Sequence, residues 1–363
     1  MLLSKTFRSP LRRLAVLLVS ASFLPFAAGV ASAEQVRSAA GRAPSQRPAA
    51  SPAIKAPAKK AASGTTRRRA RARARAVAAA KALAEAKTPQ FRVDEKGDLV
   101  PVVRAAAAIV YDPATGEVLW EENAQDQRSI ASITKVMTAV VFLETATDLS
   151  QLVTVLREDA RRASTTYLKT NDRVRLEDLL HLLLIPSDNA AARALARLSP
   201  LGYQGFIERM NEKAVELGLT STTYSDPSGL DSNNVSSAFD IARLIAFAAE
   251  DELIGPIMRK PEYSFHTMNT RPRTVTVRST NEILRAGDME VRGGKTGFIA
   301  QAGYCLATLL KLPEGGPSLA VVVLGATTSI GRFWEARHLL SWLETKAQIL
   351  SLSTPATLAT AVQ

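Results

Sequence analysis

The chain has 363 residues, 46% of them hydrophobic, with a formal net charge of +12. It is long enough for one large domain or two of ordinary size plus a tail, and apolar enough to bury a catalytic core. Residues 1–90 hold 18 Lys and Arg against 2 Asp and Glu, whereas the other 273 hold 28 against 32. The basicity therefore belongs to the N-terminal segment alone, and the globular part is not expected to bind nucleic acid.

Residues 1–33 have the three-part layout of a secretory signal. Lys5, Arg8, Arg12 and Arg13 form the charged region, Leu14 to Val30 is largely apolar, and Ala31-Ser32-Ala33 supplies small residues for cleavage. Pro25 and Gly29 interrupt an apolar span already short for a bilayer core of about 30 Å, which argues against a retained anchor. The expectation is an exported protein, soluble in a periplasmic or cell-wall space after cleavage. From Glu34 to Gln90 the sequence is mostly Ala, Pro, Arg, Lys and Ser, a composition that cannot bury enough surface to offset chain entropy and predicts a disordered basic linker. Its Ala-rich part, to Ala86, has helical potential. The arginines at 67–69, 71, 73 and 75 are read either as a solvated run or as a tether to anionic wall polymers or lipid head groups, weakened by salt.

The catalytic-sized domain is expected over residues 91–350, followed by a short tail, 351–363. Val102 to Tyr111 and Glu117 to Glu121 read as a β-hairpin around Asp112-Pro113-Ala114-Thr115-Gly116. A helix is predicted from Ser132 to Thr145, and helical periodicity returns over 176–184, 190–198, 205–217, 238–249 and 332–348. Strand-like runs lie at 274–279, 303–312 and 318–326. A hairpin, a helical middle, late strands and a closing helix predict an α+β domain: an antiparallel sheet flanked by helices, with a helical subdomain. The lone Cys305 sits in a strand-like run and is expected to be a buried, inert thiol; one cysteine forms no intrachain disulfide. His181, His266 and His338 are scattered, so no metal site is supported and no cofactor is expected. Trp120, Trp334 and Trp342 are read as packing residues rather than substrate platforms.

A serine nucleophile needs a base. Ser132 has Lys135 three residues on, a spacing that puts both side chains on one helical face. Desolvation and nearby positive charge would lower the lysine's pKa enough for it to accept the serine's proton. Ser-x-x-Lys alone is common by chance. Here Ser187-Asp188-Asn189 follows on an interhelical loop, and Lys295-Thr296-Gly297 follows Gly293-Gly294 and precedes a strand-like run. S-x-x-K, S-D-N and K-T-G in this order form the motif set of penicillin-binding proteins and class A β-lactamases.

With its wider contexts, 111–119, 130–138, Asp226-Pro227-Ser228-Gly229-Leu230, Ser279-Thr280-Asn281 and 294–304, the chain resembles the serine D-alanyl-D-alanine peptidases among the low-molecular-mass penicillin-binding proteins over about residues 100–345. The resemblance implies a β-lactamase/DD-transpeptidase-like fold and hydrolysis of D-Ala-containing bonds in peptidoglycan stem peptides through an acyl-enzyme on Ser132. It implies Lys135 as base, Ser187 as proton relay, Asn189 as holder of Lys135 and the substrate amide, and Lys295, Thr296 and Gly297 as the substrate-binding strand. The backbone N–H groups of Ser132 and Phe298 would form the oxyanion hole, and β-lactams would acylate Ser132 as covalent inhibitors. The short tail after the last helix leaves no room for the second β-rich domain and anchor usual in the carboxypeptidases. This favours the D-alanyl-D-alanine endopeptidase of the penicillin-binding protein 7 type, with a carboxypeptidase as the alternative.

Three rivals are weaker. A class A β-lactamase adds a deacylating glutamate on a loop, but Glu208, Glu212 and Glu216 fall on a predicted amphipathic helix. A phosphate-binding loop at Gly294-Lys295-Thr296 needs glycine where Met289 stands. A non-catalytic wall- or polyanion-binding protein rests on the arginine run alone.

Overall fold

The computed structural model describes residues 61–353, apart from 147 and 314. The predicted signal peptide, the first part of the basic linker and most of the C-terminal tail lie outside the described residues. A five-stranded antiparallel sheet is formed by β1 (Ala107–Asp112), β2 (Glu117–Glu122), β3 (Glu290–Ile299), β4 (Gly303–Lys311) and β5 (Ser318–Ala326). Their spatial order is β3-β4-β5-β1-β2, so β5 pairs with β1 and joins the two ends of the domain.

Among the described residues, seven longer helices accompany the sheet: α1 (Ala61–Lys87), α2 (Lys135–Thr145), α3 (Leu176–Leu184), α4 (Asn189–Leu198), α5 (Gly202–Glu216), α6 (Ala238–Glu250) and α7 (Gly331–Ser353). Strand residues alternate between two cores because successive side chains point to opposite faces. Ala107, Ile109, Ala320 and Val322 join a core shared with Ile241 and Ile245 of α6 and with α2–α5. Ala108, Val110, Val321 and Val323 instead meet Phe333, Ala336, Leu339 and Leu340 of α7. Both faces are covered, which is why these strands read as continuous apolar runs.

α3 is apolar almost all round and correspondingly buried, with Leu179, Leu180, Leu182 and Leu183 at 0% exposure, the pattern of an interior helix. Truncating one of these leucines to alanine costs about 2–5 kcal/mol. Asp178 starts α3 by accepting from Arg175 N at 3.1 Å. Ser237 caps α6 through Asp240 N at 3.1 Å.

Three boundaries differ from the sequence expectation. Residues 61–87 of the predicted disordered linker are helical as α1, and the helix takes in the arginine run as well as the alanines, both residue types being strong helix formers. Its C-terminal end packs on the domain: Ala86 is buried, His338 Nε2 is 3.1 Å from Lys87 O, and Lys87 Nζ lies over the Trp334 ring. The first sheet strand begins at Ala107 rather than Val102, because the Arg104 and Ala105 N–H groups donate to the Glu335 carboxylate instead of to a neighbouring strand. Lys295-Thr296-Gly297 lies inside β3 instead of preceding a strand. Its glycines hide the strand from propensity, and each is needed for close packing: a Cβ on Gly293 would stand 2.8 Å from Ala249 Cβ, and one on Gly297 2.8 Å from Ile130 O.

Candidate active site

Ala131–Thr134 form one 3-10 turn that leads into α2. Residues i and i+3 eclipse in such a turn, and Lys135 Nζ accordingly sits 2.8 Å from Ser132 Oγ. The helix predicted to start at Ser132 is thus replaced by a tighter turn at its first three residues, Ser132 to Thr134. Two non-glycine residues nearby are left-handed, Ala131 at φ +48° and Ser187 at φ +67°. Such conformations cost on the order of 1–3 kcal/mol each and persist only where surrounding packing enforces them.

Lys135 is fully buried and donates to three acceptors: Ser132 Oγ, Asn189 Oδ1 at 2.6 Å and Ser228 O at 2.5 Å. Burial lowers its pKa to about 7, against the opposing fields of Asp226 and Asp188 and with a smaller downward push from Arg193. As an ammonium the group satisfies all three acceptors. As a neutral amine it keeps two N–H donors for Asn189 and Ser228 and turns its lone pair to the Ser132 hydroxyl. A base that titrates near neutrality, within hydrogen-bond reach of a hydroxyl, meets both the geometric and the pKa condition for general-base catalysis.

The S-D-N loop divides its labour. Asn189 opens α4, with Nδ2 donating to Ala163 O at 2.6 Å and its backbone N to Thr165 O at 3.0 Å, so its carboxamide is aimed at Lys135 from both sides. Asp188, buried, caps α4 through Ala191 N and holds the opposite loop through Tyr167 N and Thr166 Oγ1; burial raises its pKa despite these bonds. Ser187 is partly exposed beside this network, and among the described residues no hydrogen bond joins its side chain to Lys135 or Lys295.

β3 forms the other wall and is an edge strand of the sheet. Lys295 is buried and donates to Thr296 O at 2.8 Å. Its pKa is pushed well below the usual lysine range by burial and then by the charges of Lys135 and Arg332. Thr296 Oγ1 meets Thr280 Oγ1 at 2.6 Å, and Thr280 N donates to Ile185 O at 3.2 Å, which links β3 to the S-D-N loop. Because Gly297 lacks a Cβ, β3 can lie against the Ser132 backbone, where a Cβ would be 3.1 Å from Ser132 N. The Ser132 and Phe298 segments therefore meet. Phe298 is half-exposed and its ring stacks on Tyr304 at 4.2 Å.

Sequence reasoning did not foresee three contributors. Ser228 O, in the Asp226–Leu230 turn, is a direct partner of Lys135. Thr280 bridges to Thr296. Arg332, buried at the start of α7, donates to Gly297 O at 3.0 Å and Cys305 O at 3.3 Å; burial lowers its pKa to about 10. A turn composition was visible around residue 226, but no local signal reveals which distant atom a turn carbonyl meets. Cys305 is buried in β4 with its thiol pushed up to about 11 by burial. Glu212 and Glu216 lie on α5, as expected, and pair with Arg209.

A buried lysine poised on a serine, beside an antiparallel sheet edge and a helical subdomain, defines a serine acyl-transfer enzyme. The family model described as D-alanyl-D-alanine carboxypeptidase, Peptidase S11, matches residues 94–328; the chain belongs to this family and is a serine DD-peptidase. It is 32% identical over 247 residues to the D-alanyl-D-alanine endopeptidase of Escherichia coli K12, covering 68% of this chain and 79% of that protein. It is 35% identical to the carboxypeptidase DacC of the same organism, covering 67% and 62%. The crystal structure of the Streptomyces K15 DD-transpeptidase superposes with a TM-score of 0.64 at 27% identity, covering 68% of this chain and 98% of that one.

Proposed function

We propose that the protein is a D-alanyl-D-alanine endopeptidase that cuts cross-links between peptidoglycan stem peptides and is acylated by penicillin. The observation that carries the mechanism is Lys135 Nζ at 2.8 Å from Ser132 Oγ inside a buried network. Neutral Lys135 takes the Oγ proton as Oγ bonds to the carbonyl carbon of the D-alanine. The Ser132 and Phe298 N–H groups receive the oxyanion. The tetrahedral intermediate expels the leaving amine, which gains a proton through Ser187, and water then cleaves the Ser132 ester. Lys295, Thr296 and Gly297 line the strand along which the substrate's carboxylate side lies, and a carboxylate there would favour the protonated form of Lys295, whose pKa burial and its positive neighbours lower, beside the buried Arg332.

The endopeptidase reading is supported by three relatives named D-alanyl-D-alanine endopeptidase, from Escherichia coli, Pseudomonas aeruginosa and Haemophilus influenzae, which are 32–33% identical to this chain over 77–79% of their length. A carboxypeptidase would use the same groups with free D-alanine as leaving group. Incubation with purified cross-linked muropeptide dimers and with a free pentapeptide separates the two by product mass. Monomers from dimers are expected; D-alanine release with dimers intact would contradict the endopeptidase assignment.

Residues 1–33 support export, and an N-terminus at Glu34 in the mature protein is the expected outcome of sequencing it. No helix among the described residues is long and apolar enough to cross a membrane. The arginines at 67–69, 71, 73 and 75 on α1 are exposed and make no ion pair among the described residues. They support contact with an anionic wall or membrane surface, seen as retention that salt reverses.

A further inference from the structure

The 226–230 turn carries a role that the three motifs do not account for. Asp226 Oδ2 accepts from Ser228 Oγ, and Oδ1 accepts from Gly229 N at 2.8 Å and from Asn234 Nδ2. Asn234 in turn holds the segment before the turn, accepting from Ser225 N at 3.2 Å through Oδ1, and the segment before Ser132, accepting from Ile130 N at 3.1 Å through its backbone O. Thr138 Oγ1 of α2 donates to Pro227 O at 2.6 Å. Gly229 has φ +77°, and any Cβ there would overlap the Ala131 carbonyl, so the turn is pressed against the residue before Ser132. All these contacts converge on one carbonyl, Ser228 O, which faces both Lys135 Nζ at 2.5 Å and Ser132 Oγ at 3.5 Å.

We propose that Asp226 is a positioning residue for the base: its carboxylate folds the turn so that Ser228 O fixes Lys135 Nζ beside Ser132. This deepens the proposed mechanism and rests on it for its catalytic consequence. Asn234 is the clamp that holds Asp226. The carboxylate touches neither Ser132 nor Lys135 directly, so it acts through the turn and through its field. The charged groups acting on Lys135 are Asp226, Asp188 and Arg193, with Lys295 across the cleft; Tyr203 feels Asp226 from α5. Of these, Asp226 is the strongest influence keeping the proton on Lys135.

The turn and the field can be separated by two variants. Asp226→Asn keeps an oxygen for Gly229 N and Asn234 while removing the charge. Asn234→Ala keeps the charge and loosens the turn. The ¹³Cε signal of Lys135, assigned by its loss in Lys135→Met, is titrated in wild type and both variants, and the rate of penicillin acylation is measured against pH in the same proteins. Asp226→Asn is expected to lower the Lys135 midpoint by about one pH unit. Asn234→Ala is expected to leave the midpoint within a few tenths of a unit and to lower the plateau acylation rate about 10- to 100-fold, the effect of a displaced base. Unchanged titration in Asp226→Asn together with an unchanged plateau in Asn234→Ala would overturn the proposal. If wild type takes no penicillin while the NMR midpoint still moves in Asp226→Asn, the acyl-enzyme reading fails and the coupling of Asp226 to Lys135 stands.

Discussion

Lys135 and Lys295 are both buried, and burial depresses the pKa of both, yet their surroundings differ. Lys135 has three acceptors, on Ser132, Asn189 and Ser228, and two carboxylates, Asp226 and Asp188, whose fields draw its pKa back up to about 7. Lys295 has the Thr296 carbonyl as its acceptor, and its nearest charges, Lys135 and Arg332, are positive. A buried amine surrounded by acceptors and balanced near neutrality is suited to moving a proton. One set among positive charges is suited to receiving an anion. Motif position alone would not distinguish the two lysines; their partners do.

The largest effect expected from breaking this contrast is on Lys135→Met, which removes the proposed base. Acylation by penicillin should fall about 10²- to 10⁴-fold, and the rise in rate centred near pH 7 should disappear from the pH profile. Lys295→Met should act on binding: KM for a substrate with a free carboxylate rises about 10- to 100-fold, in line with loss of one charge-assisted bond, while an amidated substrate is affected less. Asn189→Asp sharpens the comparison from the other side. A carboxylate beside Lys135 favours the ammonium, so its pKa rises and the neutral base forms only at higher pH. The acid limb of the acylation profile should move up by about 1–3 units. Asp188→Ala is expected to lower the Lys135 midpoint by less than Asp226→Asn, since its field on Lys135 is the weaker of the two, and its larger cost is structural. It strips the α4 cap and the bonds to Tyr167 N and Thr166, which should lower unfolding free energy by about 1–3 kcal/mol in denaturant titration.

Much of this arrangement was legible in the sequence, for identifiable reasons. The spacing of Ser132 and Lys135 fixes their meeting locally, and the apolar runs of α3, β4 and β5 announce a sheet covered on both faces. The strand carrying Lys295 was not legible, because Gly293, Gly294 and Gly297 look like loop residues until the neighbours they admit, Ala249 and the Ile130–Ser132 segment, are seen. α1 was underestimated because its low apolar content signals disorder while its alanines and arginines favour helix. Asp226, Ser228, Thr280 and Arg332 act through contacts far apart in sequence. Ser228 lies 93 residues from Lys135, a pairing that no local pattern encodes. The resemblance implies Ser187 as proton relay, yet among the described residues its hydroxyl lies outside the hydrogen-bond networks of Lys135 and Lys295.

The central claim, that Ser132 becomes covalently acylated through Lys135, is tested most directly by intact-protein mass spectrometry after incubation with benzylpenicillin. Wild type should gain the mass of one penicillin, with the adduct mapping to the peptide that contains Ser132, while folded Ser132→Ala should gain none. Equal labelling of the two proteins, or an adduct on another residue, would contradict the account.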